Sequence, residues 1–323
     1  MKKSFTFLSI FVLVPVALYF SSCGNNATDA TAENKQDSIK AVIARGEYLA
    51  VHVAACIHCH SKRDLSKYSG PVLPGTEGGG GQKFDNTILA ALPGTFYAKN
   101  ITPDVETGIG TWTDEEIIRA ITQGIRKNGD TLFPLMPYAS FNRMAKDDLL
   151  SIVAYLRTLT PIKNEVPERM MMIPISAAYP AAVLQPSIEQ NKRPLKSDIV
   201  NYGSYLVNMA DCGGCHTPFV KGQPDMTLHF AGGNTFNLPS FKVTSANITP
   251  DSATGIGAWS EAAFIEKFAA CRNKDRYDYN PGKSNTIMPL VDFAGIKDDD
   301  LKAMYAYLRT VTPVKNKIEK YPK

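Results

Sequence analysis

Two stretches of the sequence decide its fold: Cys56-Ile57-His58-Cys59-His60 and Cys212-Gly213-Gly214-Cys215-His216. Each is a Cys-x-x-Cys-His motif, and each follows a Gly-x-Tyr-Leu sequence, at Gly46 in the first case and at Gly203 in the second. The same further motifs then follow both in the same order: Gly-Gly-x-x-Phe, Asn-Ile-Thr-Pro-Asp, Thr-Gly-Ile-Gly-x-Trp, Met-Pro and Ala-Tyr-Leu-Arg-Thr. The 323-residue chain is therefore an internal duplication.

The Cys-x-x-Cys-His motif has a mechanical meaning. One helical turn presents both thiols to the vinyl groups of a haem, and the adjacent histidine reaches the iron from the same side. A thioredoxin-like dithiol would follow a strand, and no strand is visible before either motif. A zinc site would place its two cysteine pairs about 15–20 residues apart, far closer than these two motifs. We therefore predict two covalently bound haem c groups, attached through Cys56, Cys59, Cys212 and Cys215 and ligated by His60 and His216.

Each iron also needs a sixth ligand or an open position. The remaining histidines, His52, His58 and His229, do not occupy matching places in the two halves. Met136 and Met288 do, and each is followed by proline. A thioether ligand stabilises reduced iron, which suits an electron carrier. We predict Met136 and Met288 as the distal ligands, with core methionines as the alternative, and we expect His58 to face outward.

Composition and periodicity bound the fold. Apolar residues make up 44% of the chain and charged residues 20%, as in a soluble globular protein. The formal net charge is only +4, with no Lys/Arg run, so nucleic-acid binding is set aside. Stripes of apolar residues at helical spacing predict helices over 147–159 and 300–311, with shorter helices over 115–121 and 261–268. No alternating strand pattern is sustained, so the predicted fold class is all-α, as two tandem domains.

The first residues read as an export signal. Lys2 and Lys3 precede a largely apolar run from Phe5 to Phe20, which is short for a membrane-spanning helix. Ser21-Ser22-Cys23 resembles a lipoprotein box, so Cys23 is predicted to carry a lipid anchor, with a plain signal peptide as the alternative. The predicted boundaries are a signal peptide over 1–22, a flexible tether over 23–39, a first domain over 40–165, a linker over 166–197 and a second domain over 198–323.

Together these motifs resemble the class I-like dihaem cytochromes c of bacterial dehydrogenase systems, which include subunits of alcohol, aldehyde and sugar-acid dehydrogenases. The resemblance covers the whole mature chain. It implies the all-α cytochrome c fold, Met136 and Met288 as distal ligands, and a close crossing of the first and last helices of each domain. Gly46 and Gly203 have no side chain to block that crossing, and Tyr155 and Tyr307 can pack on it.

The sequence departs from the family in two ways. It has two haem motifs where those dehydrogenase subunits often have three. Its second methionine lies in Met288-Pro289-Leu290, not Met-Pro-Tyr, after a polar insertion over 273–285. The second ligand loop therefore differs from the first both in its own sequence and in the segment before it.

Several other residues have two interpretations each. Trp112 and Trp259 could wall a haem or pack in the core. Arg126 and Arg272 could neutralise haem propionates or lie on the surface. Cys271 could ligate iron, although a buried structural cysteine is favoured. Met170-Met171-Met172 reads as a hydrophobic strap in preference to a spare ligand.

The sequence therefore predicts an exported, lipid-anchored dihaem cytochrome c on the periplasmic side of the membrane. It would relay electrons from a dehydrogenase or quinol-oxidising complex to a terminal oxidase or another cytochrome, without side-chain catalysis. The alternative is a dihaem enzyme, a peroxidase or a thiosulfate dehydrogenase, with a catalytic second haem.

Overall fold

The structure, a computed structural model, describes residues 26–181 and 184–322. The predicted signal peptide and Cys23 lie outside the described residues. Contacts divide the chain after Lys40, and both Cys-x-x-Cys-His motifs lie in the second unit, Ala41–Lys323. Within that unit we call residues 41–165 the first lobe and residues 198–322 the second lobe.

Five α-helices lie in the first lobe and the described residues before it. The first α-helix includes residues 26–39, where the sequence predicted a flexible tether, and a π-helical turn over Tyr48–Val53 continues it. The α-helices of this part are α1 (Asn26–Glu47), α2 (Cys56–Cys59), α3 (Asp114–Gln123), α4 (Tyr138–Phe141) and α5 (Lys146–Leu156).

The second lobe repeats the pattern. Its α-helices are α6 (Ile199–Met209), α7 (Cys212–His216), α8 (Glu261–Ala269), α9 (Leu290–Phe293) and α10 (Asp298–Leu308). Short 3₁₀ turns occur at Ile175–Ala177, Met226–Leu228, Ala270–Arg272, Lys274–Arg276 and Gly282–Ser284.

Local sequence explains where the longer helices begin. Thr113 and Glu116 form a capping box at α3, which ends at Gly124 in a left-handed conformation. Ser260 caps α8 and Asp198 caps α6, each by accepting a hydrogen bond from one backbone N–H of the first turn. The four predicted helices are thus confirmed, although α5 ends at Leu156, before the predicted stop at Thr160-Pro161.

The first and last helices of each lobe cross at glycine. A Cβ atom on Gly46 would lie 1.8 Å from the Ser151 carbonyl oxygen, and one on Gly203 would lie 1.8 Å from that of Ala303. The Cβ atoms of Tyr155 and Tyr307 are the next side-chain neighbours, at 2.9 and 3.1 Å. The predicted close crossing is therefore present in both lobes.

The predicted all-α class is wrong. Helix accounts for only 36% of the structure, which also contains antiparallel sheets. The strands are β1 (Lys83–Phe84), β2 (Gly94–Tyr97), β3 (Met170–Met171), β4 (Phe219–Val220), β5 (Gln223–Pro224), β6 (Thr235–Asn237) and β7 (Lys242–Thr244), paired as β1-β2-β3, β4-β5 and β6-β7. Strands of two to four residues are too short to show an alternating pattern in the sequence.

The segment between the lobes packs against both. Strand β3 extends the first-lobe sheet, pairing Thr95 with Met170. Arg193 then contacts Asp148 of the first lobe, and Lys196 contacts Asp300 of the second. One continuous apolar core runs through both lobes. Among the described residues, no helix combines the length and apolar character needed to cross a membrane.

Candidate haem-attachment sites

Each Cys-x-x-Cys-His motif forms one short helical turn that starts from a strained residue. Ala55 precedes α2 and Asp211 precedes α7, and both have φ 49°, in the left-handed region. Such a conformation costs a non-glycine residue on the order of 1–3 kcal/mol and tends to occur at functional sites. In both motifs the first cysteine is half-buried and the second, Cys59 or Cys215, is exposed.

The two histidines are oriented in the same way. His60 Nδ1 donates to the carbonyl oxygen of Lys99 at 2.6 Å, and His216 Nδ1 donates to that of Ala246 at 2.6 Å. Burial lowers the pKa of both imidazoles, so both are neutral near pH 7. Since a carbonyl only accepts, Nδ1 carries the proton and Nε2 keeps its lone pair. That is the tautomer an iron ligand requires.

The Asn-Ile-Thr-Pro-Asp motifs hold those two carbonyl groups in place. Lys99 and Ala246 each come directly before the asparagine of a motif. Asn100 Nδ2 donates to Thr107 Oγ1 at 3.0 Å and to the Ile162 carbonyl at 2.7 Å. Its Oδ1 accepts from the backbone N–H and the hydroxyl of Thr102.

Asn247 makes the same set of hydrogen bonds in the second lobe. It donates to Thr254 and to the Val314 carbonyl, and it accepts from the N–H and hydroxyl of Thr249. Sequence reasoning identified the motif as part of the repeat but missed its role in fixing the histidine. The signal available was that the five-residue motif is repeated without change after each Cys-x-x-Cys-His motif.

The first glycine of each Gly-Gly pair lies against the backbone of the histidine and of the residue whose carbonyl orients it. Gly80 and Gly232 have φ values of 74° and 73°, and their N–H groups donate to the carbonyl oxygens of His60 and His216, both at 2.7 Å. A Cβ on Gly80 would lie 2.6 Å from the carbonyl carbon of Lys99. Glycine is required at these positions for both its conformation and its size.

Met136 and Met288 occupy matching positions before the short helices α4 and α9. Both are half-buried and pack against the continuous core, as do Cys56 and Cys212. The Met288 carbonyl accepts a hydrogen bond from Ser69 Oγ at 2.7 Å. Met136, Met288, Cys56 and Cys212 thus all border one apolar core. Thioether sulfur, together with the imidazole nitrogens of the two histidines, is a donor set that haem iron takes.

The thiols do not fit the dithiol alternative. Burial raises the pKa of Cys56 and of Cys212 to about 12. A reactive dithiol needs a lowered thiol pKa. Within residues 26–181 and 184–322, no group of three or more His, Cys, Asp and Glu side chains could hold a metal ion. Neutral imidazoles, paired thiols and methionines fit covalent haem instead.

The structure corrects the expectation for His58. Its side chain is buried and does not face outward. Nδ1 lies 2.6 Å from Asp292 Oδ2, and Nε2 contacts Arg63. Burial lowers the pKa of His58. His52 Nδ1 donates to the Asp292 carbonyl oxygen at 2.8 Å, whereas His229 Nδ1 lies 3.0 Å from the Thr217 hydroxyl.

The two arginines considered as partners of the haem propionates form ion pairs and hydrogen bonds within the protein. Arg126 pairs with Asp130 and Glu168. Arg272 donates to the carbonyl oxygens of Ala294 and Ile296 and pairs with Asp298.

The other candidates differ in their exposure. Cys271 is buried in the core, as favoured from the sequence, and burial raises its pKa. Trp112 is half-buried against the core and Trp259 is 38% exposed. Met170 and Met172 are also exposed.

Comparison with known proteins agrees with this geometry. The cytochrome c family model matches residues 200–312. The chain is 31% identical to the cytochrome c subunit of the alcohol dehydrogenase (quinone) of Gluconobacter oxydans, over 91% of this chain and 60% of that protein. It is 29% identical to the gluconate 2-dehydrogenase cytochrome c subunit of Pantoea cypripedii, over 84% of this chain and 60% of that protein.

A shorter relative matches over most of its own length. A diheme cytochrome c-type protein of Cereibacter sphaeroides is 28% identical, over 84% of this chain and 86% of that protein. The chain thus spans about three fifths of the first two relatives and most of the third. Cytochrome c domains carry covalently bound haem. The chain therefore contains a cytochrome c domain and is homologous to the cytochrome c subunits of bacterial alcohol, gluconate and fructose dehydrogenases.

Proposed function

We propose that this protein is a dihaem c-type cytochrome that relays electrons from a dehydrogenase or quinol-oxidising complex to a terminal acceptor. The observation that carries the proposal is the matched construction of the two motifs. His60 and His216 each present a neutral ring held by the carbonyl before an Asn-Ile-Thr-Pro-Asp motif, at the same 2.6 Å distance. A second motif without a haem would have no use for this construction.

Each residue type has one role. Cys56 and Cys59 attach one haem, and Cys212 and Cys215 attach the other. His60 and His216 are the proximal ligands, and Met136 and Met288 are the distal ligands. When bound, the haem supplies a one-electron Fe(II)/Fe(III) couple. The carbonyls of Lys99 and Ala246 fix the tautomer and orientation of the histidine rings, which tunes the basicity of the ligand nitrogen.

Each motif lies against the other lobe. His58, inside the first motif, has its Nδ1 2.6 Å from Oδ2 of Asp292 in the second lobe. Ser140 of the first lobe donates its hydroxyl to Asp211, which directly precedes the second motif, at 2.8 Å. Adjacent sites support a relay in which electrons enter at one haem and leave from the other.

The relatives support a dehydrogenase as electron donor. Those of Gluconobacter oxydans and Pantoea cypripedii are named as cytochrome c subunits of an alcohol and a gluconate dehydrogenase. We place this chain on the periplasmic side, exported by residues 1–22 and anchored to the membrane through a lipid on Cys23. Such an anchor would keep a diffusing electron carrier near membrane-bound partners.

Haem counting and ligand substitution test this function. The full chain, expressed with the cytochrome c maturation machinery, is expected to contain two haems by pyridine haemochrome and protein assay. Replacing both Cys56 and Cys59 with Ala should leave one. Met136→Ala and Met288→Ala should each remove half of the charge-transfer absorption that reports Met–Fe(III) ligation. A single haem in the unmodified chain, or an unchanged spectrum in both methionine variants, would refute the proposal.

A further inference from the structure

The polar insertion over 273–285 lies against the first lobe, although it belongs to the second. Tyr279 stacks on Tyr68, with ring centroids 5.9 Å apart and an interplanar angle of 12°. The Tyr68 N–H donates to the Tyr279 carbonyl oxygen at 3.1 Å, and Lys67 pairs with Asp278. We call residues 65–69 the receiving segment of the first lobe.

Asn285, at the end of the insertion, is the central contact. Its side chain is buried, with 2% of the residue exposed. Nδ2 donates to the carbonyl oxygens of Leu65 and Lys67 at 3.1 and 3.0 Å. Oδ1 accepts from the N–H groups of Ser69 at 2.9 Å and of Thr286 at 2.8 Å. One asparagine therefore satisfies three backbone groups of the receiving segment.

Ser69 extends this contact to the methionine loop itself. It is 1% exposed, and its hydroxyl donates to the Met288 carbonyl oxygen at 2.7 Å. The same hydroxyl accepts from the N–H of Val291, in α9, at 3.3 Å. Ser69 has φ 66°, so its backbone is held in the left-handed region where the hydroxyl meets the loop.

His58 fixes the other side of the same helix. The Asp292 carboxylate lies 2.6 Å from His58 Nδ1, and both side chains are buried. His58 stands inside the first Cys-x-x-Cys-His motif, whereas Asp292 lies one helical turn after Met288. The loop that carries Met288 is thus fastened to the first lobe before, at and after the methionine.

From these contacts we propose that Ser69, Asn285 and His58 are positioning residues for Met288, so that the first lobe controls the distal ligation of the second haem. The proposal rests on the proposed function, because it requires Met288 to be an iron ligand. It gives the insertion a role: the insertion is the arm that carries the second ligand loop onto the first lobe. The two haems are then not independent centres.

Matched substitutions in the holoprotein test the proposal. Ser69→Ala removes the hydrogen bond to the Met288 carbonyl, while Ser66→Ala removes an exposed hydroxyl of the same segment that bonds only to Asp64. Asn285→Ala removes the buried contacts, while Asn280→Ala removes an exposed amide of the same insertion that bonds only to Gly282. His58→Gln, which retains a donor, is compared with His58→Ala. The Met288→Ala spectrum identifies the signals of the second haem.

The readouts are the Met–Fe(III) charge-transfer band, the two midpoint potentials and the affinity of the ferric protein for imidazole. Ser69→Ala and Asn285→Ala should weaken the second-haem band, lower that haem's potential and raise its imidazole affinity. The rise should be about ten-fold for Ser69→Ala, equivalent to the hydrogen bond lost to the Met288 carbonyl, and larger for Asn285→Ala, which loses four. The first haem and both control variants should stay unchanged, and His58→Gln should behave closer to the unmodified protein than His58→Ala.

Two different failures are distinguishable. If the unmodified protein holds two haems and Met288→Ala removes its band, but the Ser69→Ala/Asn285→Ala double variant leaves band, potential and imidazole affinity unchanged, the positioning role is refuted and the proposed function stands. Equal changes in the control variants would also refute it. If Met288→Ala itself changes nothing, the ligand assignment fails.

Discussion

Replacing Gly203 with Ala should destabilise the protein, even though alanine is the better helix former. In a helix interior Gly→Ala alone contributes about 1 kcal/mol of stability. At Gly203 the added Cβ would lie 1.8 Å from the Ala303 carbonyl oxygen and 2.5 Å from its carbon. To reach an ordinary contact distance, α6 and α10 must separate by roughly 1.5–2 Å.

The magnitude follows from the rigidity of the clashing group. Overpacking in a core costs about 1–3 kcal/mol, and a backbone carbonyl within a helix cannot rotate away as a side chain can. We therefore take the upper part of that range, about 2–3 kcal/mol, and after subtracting the gain of about 1 kcal/mol in helix propensity we expect a net loss of about 1–2 kcal/mol. That loss corresponds to a fall of roughly 2–8 °C in melting temperature. The separation also moves Tyr205 and Leu206, which precede the second motif, so the second haem's absorption should change as well.

The assay is guanidinium unfolding of the holoprotein, followed by far-ultraviolet circular dichroism and by haem absorption. Asn208→Ala is the control, because Asn208 is exposed on the same helix and the change should stabilise by a few tenths of a kcal/mol. Gly46→Ala should repeat the loss in the first lobe, where the Ser151 carbonyl oxygen is also 1.8 Å away. A Gly203→Ala protein as stable as the unmodified one would show that the helices do not cross as described.

Two further predictions concern the loops. Asn247→Ala leaves the N–H of Thr249 without its acceptor, while the Thr249 hydroxyl, as donor, and the Val314 carbonyl keep only their longer mutual contact at 3.3 Å. It should therefore cost about 1–3 kcal/mol and shift the potential of the second haem, while Asn100→Ala shifts that of the first. Potentiometric titration in which both variants move the same haem would contradict this. Hydrogen bonds from Lys83 and then Thr87 lower the pKa of Asp85 from 3.8 to about 2. A carboxyl with a lowered folded-state pKa stabilises the fold above its unfolded pKa and loses that contribution as pH falls through the folded one. The stability difference between the unmodified protein and Asp85→Asn should therefore shrink between pH 4 and 2, and a constant difference in urea unfolding over that range would argue against the ion pair.

The sequence predicts the features that are local or repeated. The motifs that begin at Cys56 and Cys212 predict haem attachment from five consecutive residues. The apolar residues of α5 and α10 recur at helical spacing, which predicts the helices. Gly203 could be read because both lobes place glycine where two helices must cross. The strands escape prediction, since β3 pairs with β2 across more than 70 residues and spans only Met170–Met171.

The burial of His58 could not be predicted from the sequence around it. Its burial depends on Asp292, a partner 234 residues away, and no property of the local sequence encodes that pairing. The same holds for the insertion, which reads as polar and exposed because its buried residue, Asn285, satisfies backbone groups of a distant segment. Long-range polar contacts are thus what separate this structure from its sequence-based prediction.

A reciprocal pair of tyrosines joins the lobes, and the two tyrosines should differ in energy. Tyr48 OH donates to Asp300 at 2.6 Å, and Tyr205 OH donates to Asp148 at 2.7 Å, each across to the other lobe. Both carboxylates are buried, with 1% and 0% of the residue exposed. Asp148 also forms ion pairs with Arg45 and Arg193, whereas Asp300 forms one with the exposed Lys196.

Removing one hydroxyl therefore leaves the two carboxylates unequally compensated. A lost hydrogen bond to a buried charge costs about 1.5–3 kcal/mol, more when the charge keeps fewer partners. Tyr48→Phe should lie at the upper end of that range and Tyr205→Phe at the lower end, measured by guanidinium unfolding of the holoprotein. Exposed Tyr321→Phe serves as the control and should change stability by less than about 0.5 kcal/mol. If Tyr205→Phe proved the more damaging, the two arginines would not be compensating Asp148, and the join between the lobes would depend on apolar packing instead.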